Sequence, residues 1–381
     1  YYEMIGNMSY HGMPSHYAHW SFGKTFERTH QMYNLGAEGL PYELIINSTQ
    51  NGCRIALLKN KQLVEFHHEE DGNQFNVGDI YLGSVKKVVQ GLNAAFIDIG
   101  YEKDAFLHYL DLGPQVQSLN KFTKLGLSKN VSHKLTGFKH EQDINKLGKI
   151  SQVLTKNQKI LVQVVKEPIS TKGPRLSCEL SIAGRYLVLV PFSKAVNVSK
   201  RISDSNERKR LSRLISSIKP ENFGVIIRTV AEGKDVKELD KDLRNLLQIW
   251  EDGVKALKSA KPRDKVIGEM NRANSILRDV LNESFDSIVV DDKALHDEIK
   301  QYIQKIAPDK EKLLKLYQSK VKIFESFSVE KQLKTSFGKS VSIANGGYLI
   351  IEHTEALHVI DVNSGNKSNQ EDDQETTALK V

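Results

Sequence analysis

Cysteine is nearly absent from this chain. Cys53 and Cys178 are the only two among 381 residues, and they lie far apart. Neither a disulfide framework nor a four-cysteine zinc site can be built from them, so a reducing compartment is the default expectation. Long apolar runs are also missing. The longest, Tyr186 to Phe192, falls far short of the ~20 residues that a membrane-spanning helix requires. The first residues, Tyr1-Tyr2, are followed by no basic segment and no apolar segment of the kind that makes a signal peptide. That start reads as the cut edge of a longer chain. What remains is an ordinary globular composition, 39% hydrophobic and 27% charged, with a length that suggests two or three domains.

Charge is distributed unevenly. The net +7 divides into −2 over residues 1–48 and +9 over the rest. Between Lys194 and Arg213 stand seven basic residues and two acids, Asp204 and Glu207. Such a concentration suits a polyanion partner, and it equally suits a solvated helix face. The first 48 residues differ in kind, with His11, His16, His19, Trp20 and His30 close together. No carboxylate or cysteine completes a recognised metal-ligand spacing there, so packed or hydrogen-bonded histidines are the plainer reading.

Periodicity outlines the elements that follow. Strands are expected over Ile80–Val89 and Leu92–Ile99. In the second, Ala95, Ile97 and Ile99 share the core face, while Ala94, Phe96 and Asp98 share the other. A large ring on that more polar face is hard to justify by burial, and Phe106 with His108 begins a similar pattern ten residues on. Two rings on the open face of a small barrel form a base-stacking platform; packing beneath a loop is the alternative. The stretch Gly113–Leu154 is polar and Lys-rich and reads as a mobile loop, after which Gln158–Lys166 resumes the strands. Lys172 to Arg175 forms a turn carrying two cations. Ser181–Val190 reads as one apolar strand entered through Gly184. A further strand at Gly224–Ile227 ends in Arg228-Thr229, a guanidinium and a hydroxyl suited to a terminal phosphate, and it reads equally as an ordinary solvated or salt-bridged arginine. Asp235–Leu257 is an amphipathic helix, with Val236, Leu239, Leu243, Leu246, Trp250, Val254 and Leu257 along its stripe. A second helix carries Leu295, Ile299, Ile303 and Ile306, after a short strand at Ser287–Val290. Alternating helices and strands imply an α/β layer. Near the end, Tyr348–His353 and Ala356–Val362 predict a hairpin that sets Asp361 and Asn363 on one face. Those are hard oxygen ligands of the kind magnesium accepts, and by themselves they read equally as an ordinary exposed strand end.

Two family resemblances sit on these residues. HGMPSHYAHWSFGKTFERTHQMYNLGAEGLPYELIINS (residues 11–48) resembles an internal segment of the SpoVR family. From Glu43 the chain resembles the ribonuclease E/G family, in ELIINSTQNGCRIALLKNKQLVEF, GDIYLGSVKKVVQGLNAAFIDIGYEKDAFLHYLDL and GGYLIIEHTEALHVIDVNSG. The two meet at ELIINS, which suits either a natural fusion or a chimera formed by recombination or sequence assembly. The second resemblance implies a multidomain α/β protein. Its parts would be a SpoVR-like fragment (1–42), an RNase H-like layer in two pieces (43–75 and 264–340), an inserted OB-fold barrel (76–170, with an insertion at 113–154), a basic 5′-phosphate sensor domain (171–263) and an incomplete DNase I-like catalytic domain (341–381).

By the same resemblance the function would be magnesium-dependent endoribonuclease cleavage of single-stranded RNA in the cytoplasm. Phe96, Phe106 and Lys172 would contact RNA. Gly184, Val188, Lys200, Arg228 and Thr229 would receive a 5′-phosphate, with Lys200-Arg201 standing where the family usually has two arginines. Asp361 would bind Mg2+, and Asn363 would position it or the attacking water. The family also has a second metal-binding aspartate and a cysteine pair that shares Zn2+ between subunits of an oligomer. No counterpart of either stands in these 381 residues, so cleavage by this chain is expected to be weak or absent. The rival readings are a non-catalytic RNA-binding module and a SpoVR-type sporulation-related protein.

Overall fold

Leu44, Ile45 and Ile46 form an unbroken apolar run, and all three are fully buried. Such a run suits a strand covered on both faces. In the computed structural model it is the middle of β1 (Tyr42–Thr49). The structure describes residues 42–70, 75–168, 172–268, 272–281, 285–343, 346–353 and 357–365. The histidine-rich segment and the SpoVR-like fragment before residue 42 therefore lie outside the described residues. β2 (Gly52–Lys59) and β3 (Gln62–Glu70) follow β1 as antiparallel neighbours. Asn60 and Lys61, at φ 49° and 65°, make the turn between them. Two successive positive φ values give a turn whose twist matches that of its strands.

Next comes a closed barrel. Its strands are β4 (Ile80–Val89), β5 (Ala94–Asp98), β6 (Ala105–His108), β7 (Lys159–Lys166) and β8 (Arg175–Ser177). β4, β5 and β6 form an antiparallel meander. β6 runs parallel to β8, β8 pairs with β7, and β7 returns to β4. This closure gives each of the five strands a barrel partner on both sides over at least part of its length, an arrangement consistent with an OB-like fold set within the chain. Gly83 permits the tight interior, because a Cβ there would stand 2.5 Å from the Ile97 side chain.

The stretch read from sequence as a mobile loop is built differently. It contains helix α1 (Val116–Leu127), which buries Val116, Leu119 and Phe122. The apolar stripe of so short a helix is easily lost among lysines and serines. Tyr109 donates a hydrogen bond to the Asn145 carbonyl, and Asn93 bonds both the Gly148 carbonyl (3.1 Å) and the Ile150 N–H (2.8 Å). These bonds tie the remainder of the stretch to the barrel.

A second sheet follows. Its strands are β9 (Ile182–Ala183), β10 (Leu187–Pro191), β11 (Val196–Val198) and β12 (Phe223–Ile227), in the order β11-β12-β10-β9. The single strand expected over 181–190 is broken at Gly184–Tyr186. Helix α2 (Ser205–Ile218) carries part of the basic run, and α3 (Val236–Leu257) is the amphipathic helix foreseen, capped by Asp235. Leu239, Leu243, Leu246, Trp250, Val254 and Leu257 are buried, whereas Val236, at the first turn, is exposed. Barrel, α1, second sheet and α3 share one continuous apolar core. Its densest part is aromatic, with Phe122 lying 5.1 Å from Phe192 and 5.5 Å from Trp250 between ring centroids. β13 (Lys265–Ile267) then adds to the β4 edge, and α4 (Arg272–Val280) follows.

The chain returns to the first sheet with β14 (Phe285–Val290), parallel to β1, and β15 (Leu314–Leu316), giving the order β15-β14-β1-β2-β3. Between them lies α5 (Lys293–Ile306), whose Ile299 and Ile303 are buried. Helices α6 (Ile323–Ser326) and α7 (Val329–Phe337) bury Ile323, Phe324 and Val329 against Ile45, Ala56 and Leu58. Finally β16 (Ser340–Ser342), β17 (Tyr348–His353) and β18 (His358–Asn363) make a three-stranded antiparallel sheet. The molecule is thus mixed α/β. It divides into two units: the described residues between 72 and 282, and those before and after them.

Phe122 is fully buried at the centre of the aromatic core. Phe122→Ala should lower the unfolding free energy by about 3–5 kcal/mol, as large-to-small changes in packed cores do. The check is a denaturant titration in which the midpoint falls at constant slope.

Candidate nucleic-acid interface

Burial alternates along β6. Ala105, Leu107 and Tyr109 point inward, while Phe106 and His108 are half-buried on the outer face. The register places Phe96 of β5 directly opposite Phe106, and the rings meet edge to face at 5.8 Å. His108 stacks on the other side of Phe106, with centroids 6.4 Å apart. The same register continues in both directions. Lys87 of β4 stands opposite Phe96, Arg175 of β8 opposite Phe106, and Lys166 of β7 opposite Arg175. A row Lys87–Phe96–Phe106–Arg175–Lys166 therefore crosses all five barrel strands.

Local devices hold this row. Asp111 grips Arg175 through two hydrogen bonds, at 3.0 and 3.1 Å. The Leu110 N–H donates to Nδ1 of His108, at 3.2 Å. Burial above all lowers the pKa of His108, Arg175 lowers it further, and Asp111 opposes them. The ring is therefore neutral at pH 7, with Nε2–H left as its outward donor. Lys172 is exposed in the turn that leads to Arg175, and within that turn the Pro174 carbonyl accepts the N–H of Phe106 at 2.8 Å.

The second group of candidate residues gathers at the break between β9 and β10. Asp242 of α3 accepts the N–H groups of Arg185, Tyr186 and Leu187 at 3.2, 2.9 and 3.0 Å. A Cβ on Gly184 would lie 2.6 Å from that carboxylate, so only glycine fits there. Burial is the main influence on Asp242 and raises its pKa despite those three donors. Arg228 is 5% exposed, and its Nη1 donates to the Gly184 carbonyl at 2.6 Å and to Asp279 of α4 at 2.8 Å. Arg278 also bonds Asp279, at 3.0 Å. Burial works against ionisation of Asp279, but the two guanidinium charges outweigh it and hold its carboxyl below the usual carboxylate range. Thr229 shares a 2.9 Å hydrogen bond with Ser199, next to exposed Lys200. Val188 pairs with Ile226 across β10 and β12. Gly184, Val188, Arg228, Thr229 and Lys200 are thus brought to one end of one sheet. The sequence alone left Asp242 and Asp279 out of this group. They are at least 13 and 50 residues away in chain order, and no spacing rule links them to it.

A cleft of about 890 Å³ continues from there along the open face of β10 and β12, lined by Glu179, Asn197, Lys200, Lys209, Arg213 and Ile226 among others. The basic run is therefore of two kinds. Lys209 and Arg213 line the cleft, and so does Arg208, although its guanidinium bonds the carbonyls of Val198, Ser199 and Ile202, while Arg210 pairs with Glu207 at 2.6 Å. Opposite the lysines, burial above all and the nearby Asp111 charge push the Glu179 carboxyl up to about 7.

In the other unit, β18 places Asp361 and Asn363 on one face, with the Asn363 amide donating to Asp361 at 2.9 Å. Both faces of this strand end are open, because Val359, Ile360 and Val362 are exposed as well. Among the described residues no three His, Cys, Asp or Glu side chains gather as a metal-holding group. The two cysteines are buried and unbridged.

Residues 181–381 match the family model described as the Ribonuclease E/G family. The chain belongs to the ribonuclease E/G family. Ribonuclease G of Haemophilus influenzae is 37% identical over 323 residues, which cover 85% of this chain and 62% of that protein. Ribonuclease G of Escherichia coli K12 is 33% identical over the same extent. Ribonuclease E of a Nostoc species is 36% identical over 297 residues, covering 76% of this chain and 39% of that protein. The chain thus spans about three-fifths or less of the length of these ribonuclease E/G relatives. Residues 1–66 match the model described as SpoVR like protein, so that likeness runs past residue 48 into β1, β2 and β3. No helix among the described residues is long and apolar enough to cross a membrane.

Glu179 keeps its proton to higher pH folded than the ordinary 4.5 of a free carboxyl. Folding therefore takes up a proton between these two values, and stability falls as pH rises from about 4.5 to about 7, then levels off. Glu179→Gln removes this dependence. Its melting temperature relative to wild type should rise from about pH 5 to about pH 8, as thermal melts across that range would reveal.

Proposed function

We propose that the chain is the RNA-engaging portion of an endoribonuclease of the ribonuclease E/G type, acting on single-stranded RNA in RNA processing and decay. The observation that carries this reading is the row across the barrel, two adjacent outward rings flanked by cations. A ring offers stacking to any base, and cations on either side meet the phosphates of an unpaired strand. In this reading the barrel is the OB-fold RNA-binding domain, the sheet of β9–β12 with α2 and α3 is the 5′-phosphate sensor domain, and the sheet containing β1 and β14 is the RNase H-like layer. The strands β16–β18 begin the catalytic part.

The guanidinium of Arg228, with Thr229, Gly184 and Val188 around it, is the receptor for a 5′-monophosphate. Asp279 already holds that guanidinium, so a phosphate must exchange with a carboxylate for the same donor. The affinity of the pocket is then a difference between two charge-assisted contacts, and selectivity for a phosphate over a hydroxyl end is modest.

Asp361 suits one position in the coordination of Mg2+, which binds through one or two carboxylates with water and substrate phosphate completing the set. Asn363 orients that carboxylate through its amide N–H. The bound ion supplies an activated water and charge stabilisation at the scissile phosphate during phosphodiester hydrolysis. Asp361 is a single carboxylate at an open strand end, which favours a second reading for this chain by itself: RNA binding with weak or no cleavage.

Two measurements test these statements. Phe96→Ala and Phe106→Ala should each weaken single-stranded RNA binding by roughly 5- to 150-fold, the equivalent of about 1–3 kcal/mol per base stacked; equilibrium titration with a labelled oligonucleotide reads this, and unchanged affinity in both rejects the RNA reading. Arg228→Gln should erase any preference for a 5′-monophosphate over a 5′-hydroxyl oligonucleotide while leaving the Phe96-dependent affinity in place. The same preference in variant and wild type would remove Arg228 from the pocket. Cleavage assays with and without Mg2+ then separate the two readings, with binding but no product favouring the second.

A further inference from the structure

β4 outruns its neighbour β7. The two pair from Ile80↔Gln163 to Ser84↔Lys159, and the last bonds between them join Val85 to Asn157 and Gln158. Beyond Val85, the β7 side of β4 is not taken by a strand. It faces residues 151–156, which run from the end of the Gly113–Leu154 stretch into the residues that follow it. The space between is a groove of about 590 Å³ lined by Lys86, Lys87, Gln90, Ser151, Thr155 and Lys156, with Val88 and Leu154 as its apolar floor.

A β-bulge shapes this groove. Val85 stands opposite Ile97 and Lys87 opposite Phe96, so Lys86 is the extra residue between them. Bulges re-aim side chains next to functional surfaces. Here the bulge turns Lys86 toward Asp98, at 3.4 Å, and delivers Lys87 into the face that carries Phe96. Asp98 is itself gripped by Arg263 at 2.9 and 3.0 Å, which fixes the base of the bulge. Lys87 and Lys156 are exposed, and among the described residues no carboxylate pairs with either. The groove thus opens from the end of the aromatic row, carries two available ammonium groups, and presents hydroxyl and amide donors from Ser151, Thr155 and Gln90.

We propose that single-stranded RNA leaving the Phe96–Phe106 platform continues along this groove, its phosphates held by Lys87 and Lys156. The groove has a polar cationic rim and too little apolar floor for a base-sized pocket, so it grips the backbone and reads no sequence. This rests on the reading of the barrel as an RNA-binding surface and extends the footprint past the rings. It also gives the end of the 113–154 insertion a purpose, because Ser151 and Leu154 form the far wall together with Thr155 and Lys156, which follow it.

The test uses the whole chain and two labelled oligouridylates, one of about four and one of about twelve nucleotides, the span of site sizes seen for OB folds. Affinity is measured from about 50 to about 200 mM salt, for wild type, Lys156→Gln, the double variant Lys87→Gln/Lys156→Gln and the control Lys237→Gln on α3. Each phosphate contact with a single strand contributes ~0.7 to the slope of log affinity against log salt. The double variant should therefore lose ~1.4 of slope with the longer RNA, so that the same salt increase weakens wild type roughly sevenfold more than the variant. Lys156→Gln should lose ~0.7 with the longer RNA and nothing with the shorter one, and Lys237→Gln should match wild type throughout. Phe96-dependent binding with unchanged slopes in both groove variants overturns the groove and leaves the RNA reading standing. Absence of binding by wild type overturns both. Displacement of the longer RNA by polyglutamate at matched charge, as effectively as by unlabelled RNA, also overturns the proposal, since the groove would then be a site for acidic protein.

Discussion

The aromatic cluster around Phe122 is the contact on which the geometry of the larger unit depends. Phe122 comes from a helix inserted within the barrel, Phe192 from the end of β10, and Trp250 from α3. Trp250 also donates its indole N–H to the His133 carbonyl at 3.0 Å, so this bulky ring is satisfied at both its apolar and polar ends. Through these rings the barrel and the second sheet share one core. The ring row and the guanidinium pocket are thereby held on one rigid body rather than on two modules joined by a linker. In the proposed function these are two contact points for one RNA, and a fixed separation makes the second contact at high effective concentration.

Charge in this unit is arranged in two classes, and the difference is burial. Arg228, Arg278, Asp279 and Asp242 lie inside, where an isolated charge is costly and each is met by an opposite charge or by backbone donors and acceptors. They set the shape of the break at Gly184. Lys87, Lys156, Lys200, Lys209 and Arg213 lie outside, where their charges are open to solvent and screened by salt. Composition counts both classes alike, and only the outer class is immediately available to a polyanion. The cleft beside Glu179 combines them: lysines and an arginine line it together with a carboxyl whose proton is held near neutral pH, so its net charge changes where an acid is usually fully ionised.

Some of this was legible beforehand because it rests on local periodicity. Period-two alternation separated Phe96 and Phe106 from the core side of β5 and β6, and the 3.6-residue stripe of α3 was read nearly residue for residue, Val236 excepted. The short strand expected at Ser287–Val290 was found, extended by two residues to Phe285–Val290. His108 carried the same signal as Phe106, two residues on. Other features had no such signal. The bulge at Lys86 breaks the period-two alternation of β4 and so brings Lys87 opposite Phe96. The helix 116–127 was hidden by its short stripe in a polar stretch. The interruption of 181–190 at Gly184–Tyr186 is held by Asp242, a partner more than fifty residues later.

Sequence by itself therefore determined most of the strands and the long amphipathic helix, where the chain is basic, and to which family it belongs, since these follow from residue type and order over short windows. Tertiary structure alone decided that Lys87, two phenylalanines, Arg175 and Lys166 form one row, that Arg228 is turned inward onto Asp279, and that an inserted stretch walls a groove beside β4. Each depends on strand register or on a buried charge finding its counter-charge. Those are settled by barrel closure and desolvation, which act between residues that chain order keeps far apart.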